Sequence, residues 1–187
     1  MTSHGPVDDA ASQTRETVFE RSKTTQPNWM KRAPGQFFEL GQDLQMLTVR
    51  SRLINLTLGL RQTEVAALDE TKLALATRIQ SQLADFTPSS SPALRQRWHR
   101  MVLDSTAKVA ASTVKVRDIY FEGISRETVD SHDRIQQYYR VAVLVGLPKD
   151  TISAIYQDLA RQLASLPEAE WQRLASGLQQ VMSMDKK

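Results

Sequence analysis

The chain contains no cysteine. That excludes disulfides, thiolate metal sites and a cysteine nucleophile. It leaves the compartment open, because many periplasmic proteins also lack the residue. No apolar run approaches the roughly 20 residues that cross a bilayer, so no transmembrane helix is expected. Glycine is sparse, and the seven present stand singly at turns. No GxSxG, P-loop or GxGxxG fingerprint can be read among them. A strong charge of one sign is also missing: 24 basic residues meet 21 acidic ones for a formal charge of +3. The basic residues are scattered along the chain, which speaks against nucleic acid as a partner. The histidines are His4, His99 and His132. None has a second ligand three or four residues away, so no metal centre and no cofactor is expected.

What is present suffices for one globular domain. The 187 residues are 41% hydrophobic and 24% charged, the balance of an ordinary packed core with a solvated surface. The most strand-like stretch is Ile135–Pro148, IQQYYRVAVLVGLP. Ile135, Tyr139, Val141, Val143, Val145 and Leu147 share one parity, and the other parity turns apolar towards Gly146. Such a strand belongs in the middle of a sheet covered by helices. VKVRDIYFE precedes it, separated by the polar run Gly123–Asp133. The simplest pairing is an antiparallel hairpin of Thr113–Glu122 with Ile135–Leu147.

Upstream, residues 1–25 read as a flexible polar arm, with a short helix near Thr14–Ser22 as the alternative. The arm lacks the basic and apolar regions of a signal peptide. Either the protein is cytosolic or the chain is a trimmed mature form. Gln36–Leu40 suggests a short strand ending at Gly41, and Leu44–Leu60 alternates as strand with a parity change at Leu53/Ile54. Thr63 would cap a long Ala-rich helix reaching about Phe86. Ser91-Pro92 starts a second helix with Leu94, Trp98, Met101, Val102, Ser105 and Val109 on one face. Asp150 begins a third helix, and Ser165-Leu166-Pro167-Glu168 separates it from a fourth that carries Trp171, Leu174, Leu178, Val181 and Met182. The expected fold is α+β: a small antiparallel sheet packed by the long Ala-rich helix, with a C-terminal helical hairpin. The expected division is an arm over 1–25, the α+β domain over 26–165, and a C-terminal helix over 166–187 packed on or beside it.

Few residues suggest chemistry. Glu127, Asp130, His132 and Asp133 share the polar loop, which reads as a solvated tip. Arg95, Arg97 and Arg100 could take an anion but read as the wet face of an amphipathic helix. The interface candidates are Trp29, on a segment flanked by Pro27 and Pro34, and the second face of the hairpin with Tyr120, Tyr138 and Arg140. If helices cover one side of the sheet alone, that face is free to dock; if the terminal hairpin covers it, those residues are core.

The order of these pieces resembles the bacterial outer-membrane lipoprotein family typified by a twenty-kilodalton antigen, which includes flagellum-associated lipoproteins. The resemblance runs from Gln26 to Leu163. It rests on Pro27-Asn28-Trp29, the Leu56–Leu60 stretch with Gly59, the alanine-spaced helix Ala67–Ala76, VKVRDIYFE and YYRVAVLVGLPK. The family's lipid-accepting cysteine has no counterpart here. The resemblance implies a non-enzymatic envelope protein on the periplasmic side of the outer membrane, acting by assembly with itself or with protein partners. Its anchor would lie beyond the polar arm. The rival expectation is a cytosolic adaptor that binds a partner helix through the stripe Trp171–Met182.

Overall fold

A computed structural model describes residues 14–88, 91–128 and 135–184. The strands are β1 (Thr14–Arg21), β2 (Phe37–Leu40), β3 (Asp43–Leu53), β4 (Lys115–Thr128) and β5 (Gln136–Pro148). They form one antiparallel sheet in the order β1-β4-β5-β3-β2. The helices are α1 (Leu56–Gln82), α2 (Pro92–Thr113), α3 (Thr151–Ala164) and α4 (Ala169–Met184), with 3-10 turns at Asn28–Lys31 and Ala84–Phe86. The class is α+β with a C-terminal helix pair, as the sequence predicts.

β5 takes the central position because both its faces are apolar. Every residue from Val141 to Leu147 is buried. On one face Val141, Val143, Val145 and Leu147 align with Arg50, Thr48, Met46 and Leu44 of β3. This face lies beneath α1: the Thr48 hydroxyl donates to Glu70 at 2.9 Å, and Arg50 pairs with the same carboxylate. α2 packs on α1, α3 on α2 and α4 on α3. The expected β4–β5 hairpin forms, with Ile119 opposite Val143. β4 continues through Gly123 to Thr128, further than the polar sequence there suggests. At Gly123 a Cβ would fall 2.6 Å from the half-exposed Phe19 ring, which would have to move for a larger residue. Of the loop cluster, Glu127 lies in β4, whereas Asp130, His132 and Asp133 lie outside the described residues, as does His4.

Two expectations along the chain are corrected. Thr14–Arg21, assigned to the arm, is β1, paired with β4 over Glu122–Thr128. Its eight residues are all exposed, so it has no buried face to reveal it; pairing with β4, the Tyr138–Glu16 hydrogen bond and the Phe19–Tyr139 contact hold it. The Ala-rich helix begins at Leu56, not after Thr63. The Asn55 side chain accepts the Leu58 N–H at 2.9 Å and caps the helix one residue after the corner. The alternation of Ile54–Leu60 is therefore not a strand. The line α1 buries is Gly59, Thr63, Ala67, Thr71, Leu75 and Ile79, every fourth residue and mostly small, which lets the backbone approach the sheet. Thr63 and Thr71 satisfy their hydroxyls on the carbonyls of Gly59 and Ala67, at 2.7 Å each. Val65 of α1 is exposed.

Other local signals hold. Ser91 accepts the Leu94 N–H at 3.1 Å with Pro92 in the first turn, and Gly41 turns β2 into β3 with φ 60°. Asp150 occupies the N-cap position of α3 without a side-chain hydrogen bond. α3 is tied to α2 by Lys108–Asp158 at 2.7 Å and by Gln162 on Ser105 at 2.8 Å. On α4, Trp171, Ala175 and Leu178 are buried in the common core. Trp171→Ala should therefore cost about 3–5 kcal/mol in a urea melt. An unchanged midpoint would mean that the stripe is a free docking face.

Candidate functional site

The sheet's second face carries the residues singled out from sequence. β1 and β2 lie at opposite edges, so the segment Ser22–Gln36 must cross the sheet on the side away from α1. Its anchor is Asp118, which accepts from Lys23 at 2.5 and 2.6 Å and from the Trp29 indole at 3.0 Å. Ser22 ties the start of the crossing to Phe121 through the 2.9 Å bond its hydroxyl accepts. Gly35 N–H reaches the Leu47 carbonyl at the other side, 2.8 Å away. On this face Leu47, Ala142, Leu144, Tyr120 and Ile124 are buried. Among the described residues an N-terminal strap, and not the terminal helical hairpin, lies on this face.

Each interface candidate can now be placed. Trp29 is half-buried, spending its indole N–H on Asp118. Tyr120 is 1% exposed and cannot present a docking surface. Its hydroxyl donates to Glu122 at 2.8 Å, and burial together with that carboxylate pushes its phenol pKa up. Glu122 is itself buried, lying 3.5 Å from Arg140 and 3.6 Å from Arg21. A buried carboxylate requires such partners, so Arg140 neutralises the sheet's own charge. Tyr138 is half-buried and donates to Glu16 of β1 at 2.8 Å. Burial and then Glu16 push its phenol up. Tyr138 and Arg140 share the face and tie neighbouring strands together, while Trp29 lies further along it, over Asp118.

Beside Tyr138 the sheet has an open corner. β3 pairs with β5 no further than Leu53 opposite Tyr139, whereas β4 follows β5 down to Gln136. Gln136–Tyr138 therefore form one wall of a cleft of about 400 Å³, completed by Arg52, Ile54 and Arg126. Arg52 holds φ 61°, the left-handed region that a non-glycine residue enters at a cost of about 1–2 kcal/mol. Arg52 sits in the bulge between Arg50 and Leu53, after which β3 pairs once more and ends; Ile54, just beyond, is 90% exposed. Around the same end lie Phe19, Leu58 and Ile135, each about half exposed. Phe19 also meets Tyr139 edge-on at 6.1 Å. Arg52, Ile54 and Arg126 escape a sequence reading. The available signal was the parity break at Leu53/Ile54 followed by the capping residue Asn55.

The alternative sites gain nothing from the fold. Arg95, Arg97 and Arg100 are exposed on α2, and Arg97 is engaged with Glu168 at 3.4 Å. His99 is exposed on the same helix. Among the described residues no group of three or more His, Asp or Glu is placed to hold a metal ion, and no helix is long and apolar enough to cross a membrane. The chain matches no protein-family model, no curated protein and no solved structure.

Asp118 gives the strap a pH dependence. Partial burial pushes its carboxyl up, but Lys23, the Trp29 indole and the Ile119 N–H outweigh it and hold the group below the ordinary aspartate range. A carboxylate depressed in the fold adds stability above its unfolded pKa of about 3.9, and that stability fades as pH falls through the folded value. Asp118→Asn should lose about 1 kcal/mol near neutrality. Wild-type and variant urea melts should converge as pH drops from about 5 towards 3. A gap that stays constant with pH would mean that Asp118 acts through shape alone.

Proposed function

We propose that this chain is a non-enzymatic structural protein of the cell envelope, carried on the periplasmic side of the outer membrane, which works by assembling with other protein chains. The observation that carries the reading is the open corner of the sheet. Ile54 is almost fully exposed there beside Tyr138, and near the same end, on the Tyr139 side of the sheet, Phe19, Leu58 and Ile135 are each about half exposed. Solitary exposed apolar residues are ordinary, but several gathered at one end of a sheet are the usual mark of a docking surface. The resemblance to envelope lipoproteins supplies the compartment. The rival adaptor reading would require α4 to leave α3, exposing Trp171 and Leu178 that now lie in the core.

The outer sheet edges are poor rivals for the contact. β1 carries a bulge between Val18 and Glu20 and the charges Arg15, Glu16, Glu20 and Arg21, devices that discourage strand pairing. β2 has four residues, with Glu39 held by Lys149 at 2.7 Å. Assembly is therefore expected to run through the corner. Ile54→Glu and Tyr138→Arg should each reduce the sedimentation coefficient of the assembled protein while leaving the far-UV circular dichroism unchanged. Fractionation of cells carrying the intact gene should place the protein with the outer membrane. Wild-type assembly by both variants would overturn the docking surface, and recovery in the cytosol would overturn the compartment.

A further inference from the structure

The corner cleft is built to hold more than an apolar contact. Three of its properties converge on one kind of ligand. First, the backbone of Gln136–Tyr138 pairs with β4 on one side, while β3 stops at Leu53 on the other. A short length of strand edge is thus left open inside the sheet, unguarded by the bulge and charges of β1. Second, the cleft holds two guanidinium groups. Among the described residues neither Arg52 nor Arg126 forms an ion pair, and Arg126 Nε is buried with no hydrogen-bond partner. Glu16, opposite Arg126 in the register, is taken by the Tyr138 hydroxyl at 2.8 Å. Third, Ile54 stands at the rim, where an apolar side chain of a ligand would cover it.

We propose that this cleft binds an extended acidic segment of a partner protein, which adds as a short strand beside Gln136–Tyr138 and places its carboxylates on Arg52 and Arg126. The open edge supplies main-chain hydrogen bonds, which give affinity to any extended peptide. The arginines select the acidic ones, because a guanidinium with free donors forms paired, charge-assisted bonds to a carboxylate. Arg52 reaches the notch from the bulge just before β3 makes its last pairing at Leu53. The proposal deepens the assembly reading by naming the chemistry of the partner. It can be tested on the protein whether or not the chain self-associates.

The test is fluorescence anisotropy with a labelled short peptide of alternating glutamate and valine, added to the full chain. The controls are the lysine-valine counterpart and a backbone N-methylated copy of the acidic peptide. The acidic peptide should bind, more weakly as salt rises, and the lysine peptide should not. N-methylation should abolish binding, and the amides of Gln136–Tyr138 should become protected from hydrogen exchange in the complex. The double variant Arg52→Gln, Arg126→Gln should keep its circular dichroism and bind about tenfold or more weakly. Equal binding by the double variant would remove the arginines from the site. Equal binding of the N-methylated peptide would remove strand addition, and no binding of the acidic peptide would overturn the proposal. Failure here with Ile54→Glu still blocking assembly leaves the docking surface standing. Peptide binding by a protein whose assembly ignores Ile54→Glu separates the two the other way.

Discussion

A strand buried on both faces must be covered twice, and that requirement at β5 organises the rest of the molecule. Each fully buried valine or leucine there contributes roughly 1.5–3 kcal/mol relative to exposure, but only if both sides are closed. α1 closes one side, coming near enough because its contact line is glycine, threonine and alanine before it becomes leucine and isoleucine. Among the described residues the other side has no α-helix. The chain closes it with the stretch between its first two strands, which reaches across because those strands stand at opposite edges.

This second cover is thinner than the first and is held by polar contacts. One aspartate receives a lysine and an indole, and one buried glutamate is neutralised by arginines from the strands on either side of it. The two layers therefore differ in kind: apolar packing on the helical side, electrostatics and hydrogen bonds on the strap side. The corner cleft lies beyond the reach of both covers, which is why apolar and cationic side chains meet solvent together there.

Legibility followed the range of the signal. β5, β2 and the Ser91-Pro92 start could be read because each announces itself within a few residues. β1 could not, because a strand exposed along its whole length has no alternation to detect and is defined by a partner in the second half of the chain. The start of α1 was hidden by a strand-like alternation from Ile54 to Leu60 that outweighed the single capping residue Asn55. The same misreading concealed Ile54, which the strand pattern would have placed on a buried face. Tyr138 and Arg140 were assigned to the correct side of the sheet by parity. The burial of Tyr120 on that side depends on a strap whose path the sequence pattern does not contain.

The pairing of β1 with β4 has a consequence for biosynthesis. Glu16 and Tyr138, joined across the finished sheet, are 122 residues apart. A growing polypeptide exposes β1 about 90 residues before β4, its pairing partner, begins. Sheet closure is thus a late, long-range event of the kind that folds slowly and risks association on the way. The charges of β1 and its bulge give the waiting strand little tendency to pair with another chain. The polar character that makes β1 hard to recognise is what allows it to wait.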